Sequence, residues 1–200
     1  MQARAESIRL ADGHEVVVRA VAVPDDLERL LAFFRGLAAG VRNHLRYNVT
    51  EREPLRARLL QLDGRDHWRL LAELDGVVVG DGTLDREPYG WTRHVAGVRV
   101  VVQPDVVDLH VAQLLLNALL GLGSVAGIER LTCEVLDTDQ DRIGMLEEAG
   151  FVREAVLRAY AKGSDGRLHD LLLMTNDVED AWRHLADQLE ELDGRAARNA

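Results

Sequence analysis

The chain is poor in cysteine, lysine, serine and aromatic residues. Cys133 is the single cysteine among 200 residues, which excludes an internal disulfide and a cysteine-rich zinc site. Lys162 is the single lysine, so arginine carries nearly all the positive charge, and 24 basic against 34 acidic residues leave a net charge of -10. Duplex binding needs a concentrated basic face, so no nucleic-acid partner is expected. An acidic surface favours cationic or amine partners only weakly and in a salt-dependent way. No apolar run approaches the ~18 residues of a membrane span. The polar start, Met1 to Glu6, has no apolar h-region. Neither a membrane partner nor a secretory signal is therefore expected, and the cytoplasm is the expected compartment. The three serines, Ser7, Ser124 and Ser164, form no Gly-x-Ser-x-Gly elbow, which leaves a serine hydrolase without support. The seven histidines are scattered without an i, i+4 pair or an HExxH motif, so no metal is expected.

What is present is an ordinary globular composition, 47% hydrophobic and 29% charged, of a length that suits one domain. The β-branched run Val16–Val21 predicts a first strand. Pro24-Asp25-Asp26 opens a helix whose apolar positions Leu27, Leu30, Leu31, Phe34 and Leu37 share one face. A second helix is predicted from Pro54 to Leu62. Strands follow at His67–Leu74 and Val77–Leu84, joined by the tight-turn pair Asp75-Gly76. Val95–Val102 predicts a fourth strand, Val111–Leu122 a helix, Leu131–Leu136 a fifth strand and Asp139–Ala149 a short helix. Phe151–Ala161 and Leu168–Thr175 read as two closing strands, and Asp177–Leu192 as a final acidic helix. An antiparallel meander, a β-α-β crossover and a closing hairpin predict an α/β fold with a mixed, mostly antiparallel sheet flanked by helices, rather than a doubly wound one.

Three stretches carry a family resemblance. Val100-Val101-Val102-Gln103-Pro104-Asp105 leads into the helix at Val111. Leu131–Leu136 is followed by Asp139 and by Leu146-Glu147-Glu148-Ala149-Gly150-Phe151. Asp165-Gly166-Arg167-Leu168-His169-Asp170 runs on to Met174. In this order they resemble the GCN5-related N-acetyltransferase (GNAT) superfamily over residues 14–178. The resemblance implies a GNAT-like domain at 14–176, with residues 1–13 as an N-terminal extension and 177–200 as an added C-terminal helix and tail. It implies acetyl-CoA or another acyl-CoA as cofactor, with contacts from Val100, Val102, Val107, Asp108, His110, Val111, Ala112 and Asp139. It implies transfer of the acyl group to a small-molecule or protein amine by direct attack, without a covalent enzyme intermediate.

The sequence also departs from the family's pattern. The diphosphate loop of the family reads Arg/Gln-x-x-Gly-x-Gly/Ala, placing backbone N–H groups at a helix N-terminus. Here it reads Val107-Asp108-Leu109-His110-Val111-Ala112, and only Ala112 fits. The family's glutamate base falls at Gly97, its thiolate-protonating tyrosine at Leu146 and its helix-opening asparagine at Asp139. The candidate catalytic replacements are His94 first, because imidazole is the side chain suited to proton transfer near neutral pH, and Glu134 second, sharing parity with Thr132 and Leu136. Each has an alternative, His94 as a hydrogen-bonded strand-edge residue and Glu134 as a solvated one. Cys133 points to the opposite face and reads as a buried thiol. Arg42, Arg46 and Tyr47 either border an acceptor pocket or form a surface loop. Two functions from different classes stay open: an N-acyltransferase, and a catalytically inactive binding or regulatory module. Val178, Trp182, Leu185, Leu189 and Leu192 form a near-heptad seam, which either docks on the chain's own core or makes a homodimer.

Overall fold

The computed structural model describes residues 6–9, 14–42, 45, 47–104, 110–163 and 166–181. Eight strands form one sheet: β1 (Glu6–Arg9), β2 (Glu15–Ala20), β3 (His67–Leu74), β4 (Val77–Arg86), β5 (Val95–Val102), β6 (Arg130–Leu136), β7 (Val152–Lys162) and β8 (Leu168–Asp177). Their order across the sheet is β1-β2-β3-β4-β5-β6-β8-β7. Only β5 and β6 run parallel, so the sheet is mixed and mostly antiparallel, as the element order predicts. Within the stretch 1–13, read from sequence as an N-terminal extension, Glu6–Arg9 pairs antiparallel with β2 and extends the sheet.

The helices beside the sheet are α1 (Leu27–Gly36), α2 (Ala39–Arg42), α3 (Arg52–Leu59), α4 (His110–Val125) and α5 (Gln140–Glu148). The Asp75-Gly76 turn joins β3 to β4 with both residues at positive φ, 49° and 82°, the geometry of a two-residue hairpin loop. Alternation along the strands sends Val16, Val18, Leu70, Leu84, Val98, Leu131 and Cys133 into a core with Leu115, Leu116 and Leu119 of α4. Leucines of α4 pack directly over two glycines of β4. A Cβ at Gly80 would sit 2.8 Å from Leu115 Cδ1, and one at Gly82 would sit 2.9 Å from Leu119 Cδ1. On the other face, Leu30, Leu31 and Phe34 of α1 and Leu55 and Leu59 of α3 pack with Leu71 and Val101. Val178 and Ala181, in the first turn after β8, are buried in the α4-side core. Trp182, Leu185, Leu189 and Leu192 of the predicted seam lie outside the described residues.

Asp26 stands immediately before α1, where Pro24-Asp25-Asp26 predicts the helix to open. It occupies the N-cap of α1 without a side-chain capping bond. Its carboxylate instead accepts from Arg19 at 2.6 and 2.8 Å, from the Ala22 N–H at 2.8 Å and from Arg29 at 3.0 Å. The Arg19 hydrogen bond, acting against burial, holds its carboxyl down to about 2. Because the folded value lies below the unfolded one, the stabilisation is present above pH ~4 and lost as pH falls through ~2. Asp26→Asn is expected to remove about 2 kcal/mol of unfolding free energy at pH 7, and little at pH 2. Urea titrations at the two pH values measure that difference.

Candidate active site

The parallel pairing of β5 with β6 covers only three positions: Val95 with Arg130, Ala96 with Leu131 and Gly97 with Thr132. Past Gly97 each strand follows its other neighbour, β5 staying on β4 and β6 on β8. The two therefore diverge, and the β6-facing edge of residues 98–102 has no strand partner among the described residues. Beside this wedge lies a cleft of about 580 Å³, lined by Val100, Val102, Ala112, Asp139, Arg142 and Met145 among others. Four residues assigned to the cofactor from sequence, Val100, Val102, Ala112 and Asp139, are thus brought together. His110 is exposed at the first residue of α4. The Val111 side chain is buried in the core, so a role toward a ligand falls to its backbone N–H. Val107 and Asp108 lie outside the described residues. Asp139 caps α5, accepting from the Arg142 N–H at 3.4 Å and pairing with the Arg142 guanidinium at 3.3 Å.

Residues on opposite faces of a strand alternate. Val100 and Val102 line the cleft, whereas Val101 lines a second pocket on the α1/α3 side. This smaller cavity, about 40 Å³, is also lined by Tyr47, Arg58, Arg69, Asp81, Thr83 and Arg99. Arg69 and Asp81, both buried, make a bidentate pair at 2.6 and 3.0 Å. The Arg58 guanidinium stacks 3.6 Å from the Tyr47 ring centroid, and that of Arg99 lies 5.2 Å from it. Asp85, the register partner of Gly97 on β4, bonds His67 Nδ1 at 3.0 Å. At Gly97 itself an added Cβ meets nothing closer than 3.9 Å, so a side chain fits there.

Of the two catalytic candidates, Glu134 is exposed on the strand face that it shares with Thr132, two residues past the last β5–β6 pair. His94 lies in the turn before β5 and lines neither cavity. Its carbonyl accepts the N–H groups of Glu129 and Arg130 at 2.9 and 3.2 Å, anchoring the closed end of the strand pair. Cys133 is buried with its thiol pushed up to about 11, chiefly by desolvation, so it is not a thiolate nucleophile at neutral pH. Tyr47 reaches the pocket, Arg42 bonds the Arg35 carbonyl at 2.9 Å, and Arg46 lies outside the described residues.

Sequence reasoning missed His67, Arg69, Asp81, Asp85 and Arg99. A signal for them exists in the period-2 run Asp81, Thr83, Asp85 along β4, which marks one polar face of a strand that is otherwise buried. Arg58 carries no such signal, because its partners come from other elements. Among the described residues no group of three or more His, Cys, Asp or Glu side chains is arranged to hold a metal, and no helix is long and apolar enough to cross a membrane.

Residues 31–151 match the model of the acetyltransferase (GNAT) family. No curated protein matches the chain in sequence. Solved structures share the fold. An acetyltransferase of the GNAT family from Streptococcus pneumoniae superposes with a TM-score of 0.66 at 21% identity, covering 81% of this chain and 99% of its own. The GNAT domain of S. lividans PAT gives 0.68 at 23%, covering 86% and 96%. The ribosomal-protein-alanine N-acetyltransferase from Brucella melitensis gives 0.66 at 24%, covering 80% and 98%.

Proposed function

The chain belongs to the acetyltransferase (GNAT) family, and from that premise we propose that it transfers an acyl group from acyl-CoA to an amine. The observation that supports this most is the wedge. One unpaired strand edge, residues 98–102, separates a cleft of about 580 Å³ on one side from a polar pocket on the other. Two reactants entering from opposite faces would meet beside Gly97.

An acyl-CoA arm suits this cleft in two respects. An extended, amide-bearing chain can pair with an unpartnered strand edge, as an added strand does. The cleft volume falls in the range of small-molecule sites. The diphosphate suits it less. Asp139 and Asp141 border the cleft with Arg142, and in the sequence His110 falls on the first glycine position of the family's loop, with the carboxylate of Asp108 two residues before it. When bound, acyl-CoA would supply an activated acyl group. The chain's own task is to orient the amine and remove its proton.

That proton matters because an alkyl amine with a pKa near ~10 is almost wholly protonated at neutral pH. Glu134 stands on the amine side of the sheet, just past the point of divergence, and is the proposed base. Glu134→Gln is expected to lower kcat/KM by ~10²-fold, whereas His94→Ala leaves it nearly unchanged. A comparable loss in His94→Ala would move the base to the turn before β5.

The experiment that tests the function pairs two measurements. Millimolar acetyl-CoA is expected to raise the melting temperature, since a ligand of the folded state stabilises it. Release of free CoA thiol is then followed over a panel of amines. Stabilisation without turnover of any amine would favour the second class, a binding module on the same scaffold, for which the glycine at the base position is the specific observation.

A further inference from the structure

The pocket on the α1/α3 face is positively charged in a chain that is strongly acidic. Three guanidiniums, Arg58, Arg69 and Arg99, line it against one carboxylate, Asp81. Asp81 is committed to Arg69 through two hydrogen bonds, with both side chains buried. Two cations are left. Arg58 approaches Asp85 only at 3.9 Å, beyond hydrogen-bond distance. Among the described residues no carboxylate lies within ion-pair distance of Arg99, whose contact is the Tyr47 ring at 5.2 Å. With a net charge of -10 on the chain, leaving two arginines with so little compensation at the wedge needs a reason.

The two guanidiniums flank Tyr47, and Thr83 lines the same cavity. Guanidinium forks match planar carboxylates, and their hydrogen bonds to an anion are among the stronger ones. The cavity, about 40 Å³, exceeds the ~10–15 Å³ that one water needs, which suits a carboxylate better than an aromatic ring or a polyamine chain. Arg99 also sits two residues past Gly97, on the face that the acceptor would approach. Residues two apart on a strand are ~6.6 Å apart, a distance bridged by a carboxylate contact and a short amino acid.

Resting on the acyltransferase reading, we infer that the acceptor is a primary amine that carries a carboxylate, seated by Arg99 with Arg58 and Thr83 as further donors. A cationic polyamine would meet repulsion here, and a neutral amine would leave Arg99 without an anion and Arg58 with only the more distant Asp85 carboxylate.

The test uses two matched pairs, L-leucine with isoamylamine and β-alanine with propylamine, on the full chain. Thermal shift is measured with each compound at millimolar concentration, and acetylation by acetyl-CoA is followed in parallel. In at least one pair the amino acid is expected to stabilise the protein and the bare amine not to. Apparent affinity should differ by ~10-fold or more. Arg99→Gln should abolish that preference, and Arg99→Lys, which keeps the charge but not the fork, should keep part of it. Arg99 is on the strand surface and not in the core, so both variants are expected to melt near the wild type. Equal shifts within both pairs, a preference for the bare amine, no shift with any compound, or a preference untouched by Arg99→Gln each overturns the inference. Carboxylate-dependent binding without turnover leaves the seat standing and removes the acyltransferase reading. Turnover of amines without a carboxylate preference does the reverse.

Discussion

Replacing Asp108 and His110 together by glycine is expected to tighten acetyl-CoA binding by ~10²-fold or more, from a wild-type Kd above ~100 µM. The physical reason lies in what a diphosphate needs from a helix N-terminus. It needs backbone N–H groups that it can approach closely, and no competing negative charge. His110 is the first residue of α4, and Ala112, two residues on, lines the cleft. At His110 an imidazole stands where the family has glycine, and Asp108 adds a carboxylate to the same loop. Each recovered hydrogen bond to a charged phosphate contributes about 1.5–3 kcal/mol, so two give ~10²–10⁴ in affinity. Calorimetric titration of both proteins decides the matter. A low-micromolar Kd for the wild type, or an unchanged Kd in the double variant, would show that this loop does not limit binding.

Asp81→Leu is expected to cost about 3–5 kcal/mol of stability, a large part of the ~5–15 kcal/mol typical of a domain. The Arg69–Asp81 pair is 4% and 5% exposed at the two side chains. Removing the carboxylate strands a guanidinium whose other neighbour is the Phe34 ring at 5.5 Å. The double variant Arg69→Met with Asp81→Leu removes both charges and is expected to recover most of the loss, because two apolar side chains of similar size need no partner. Urea unfolding of the single and double variants separates the two cases. A single variant within about 1 kcal/mol of the wild type would mean that the pair is effectively solvated.

These predictions draw on different parts of what the sequence and the fold each provide. Among the described residues, seven strands (β2 to β8) and four helices (α1, α3, α4 and α5) fall close to where hydrophobic periodicity and turn chemistry put them. The turn at Asp75-Gly76, the buried side of Cys133 and the outward side of Glu134 were legible for the same reason. Each depends on neighbours in the chain, through the period of a strand or the backbone freedom of glycine. β1 escaped notice because Glu-Ser-Ile-Arg is four residues long and carries no apolar alternation. α2, also four residues long, presents no buried face.

The sequence by itself determined the element order, the mixed α/β class and the family, because local pattern and ordered motifs carry that information along the chain. The family resemblance of the sequence further implies a glycine position at His110 and a carboxylate position at Gly97. Only the tertiary structure decided where the strands part and what gathers there. How far β5 and β6 pair depends on β4 and β8, their other neighbours in the sheet. The charged pocket joins Tyr47, Arg58, Arg69, Asp81 and Arg99 from a loop, a helix and three strands. The structure also placed His94 at the closed end of the pair, away from both cavities. Proximity between segments far apart in sequence is set by packing and by non-local hydrogen bonds, and no local period of the chain encodes it.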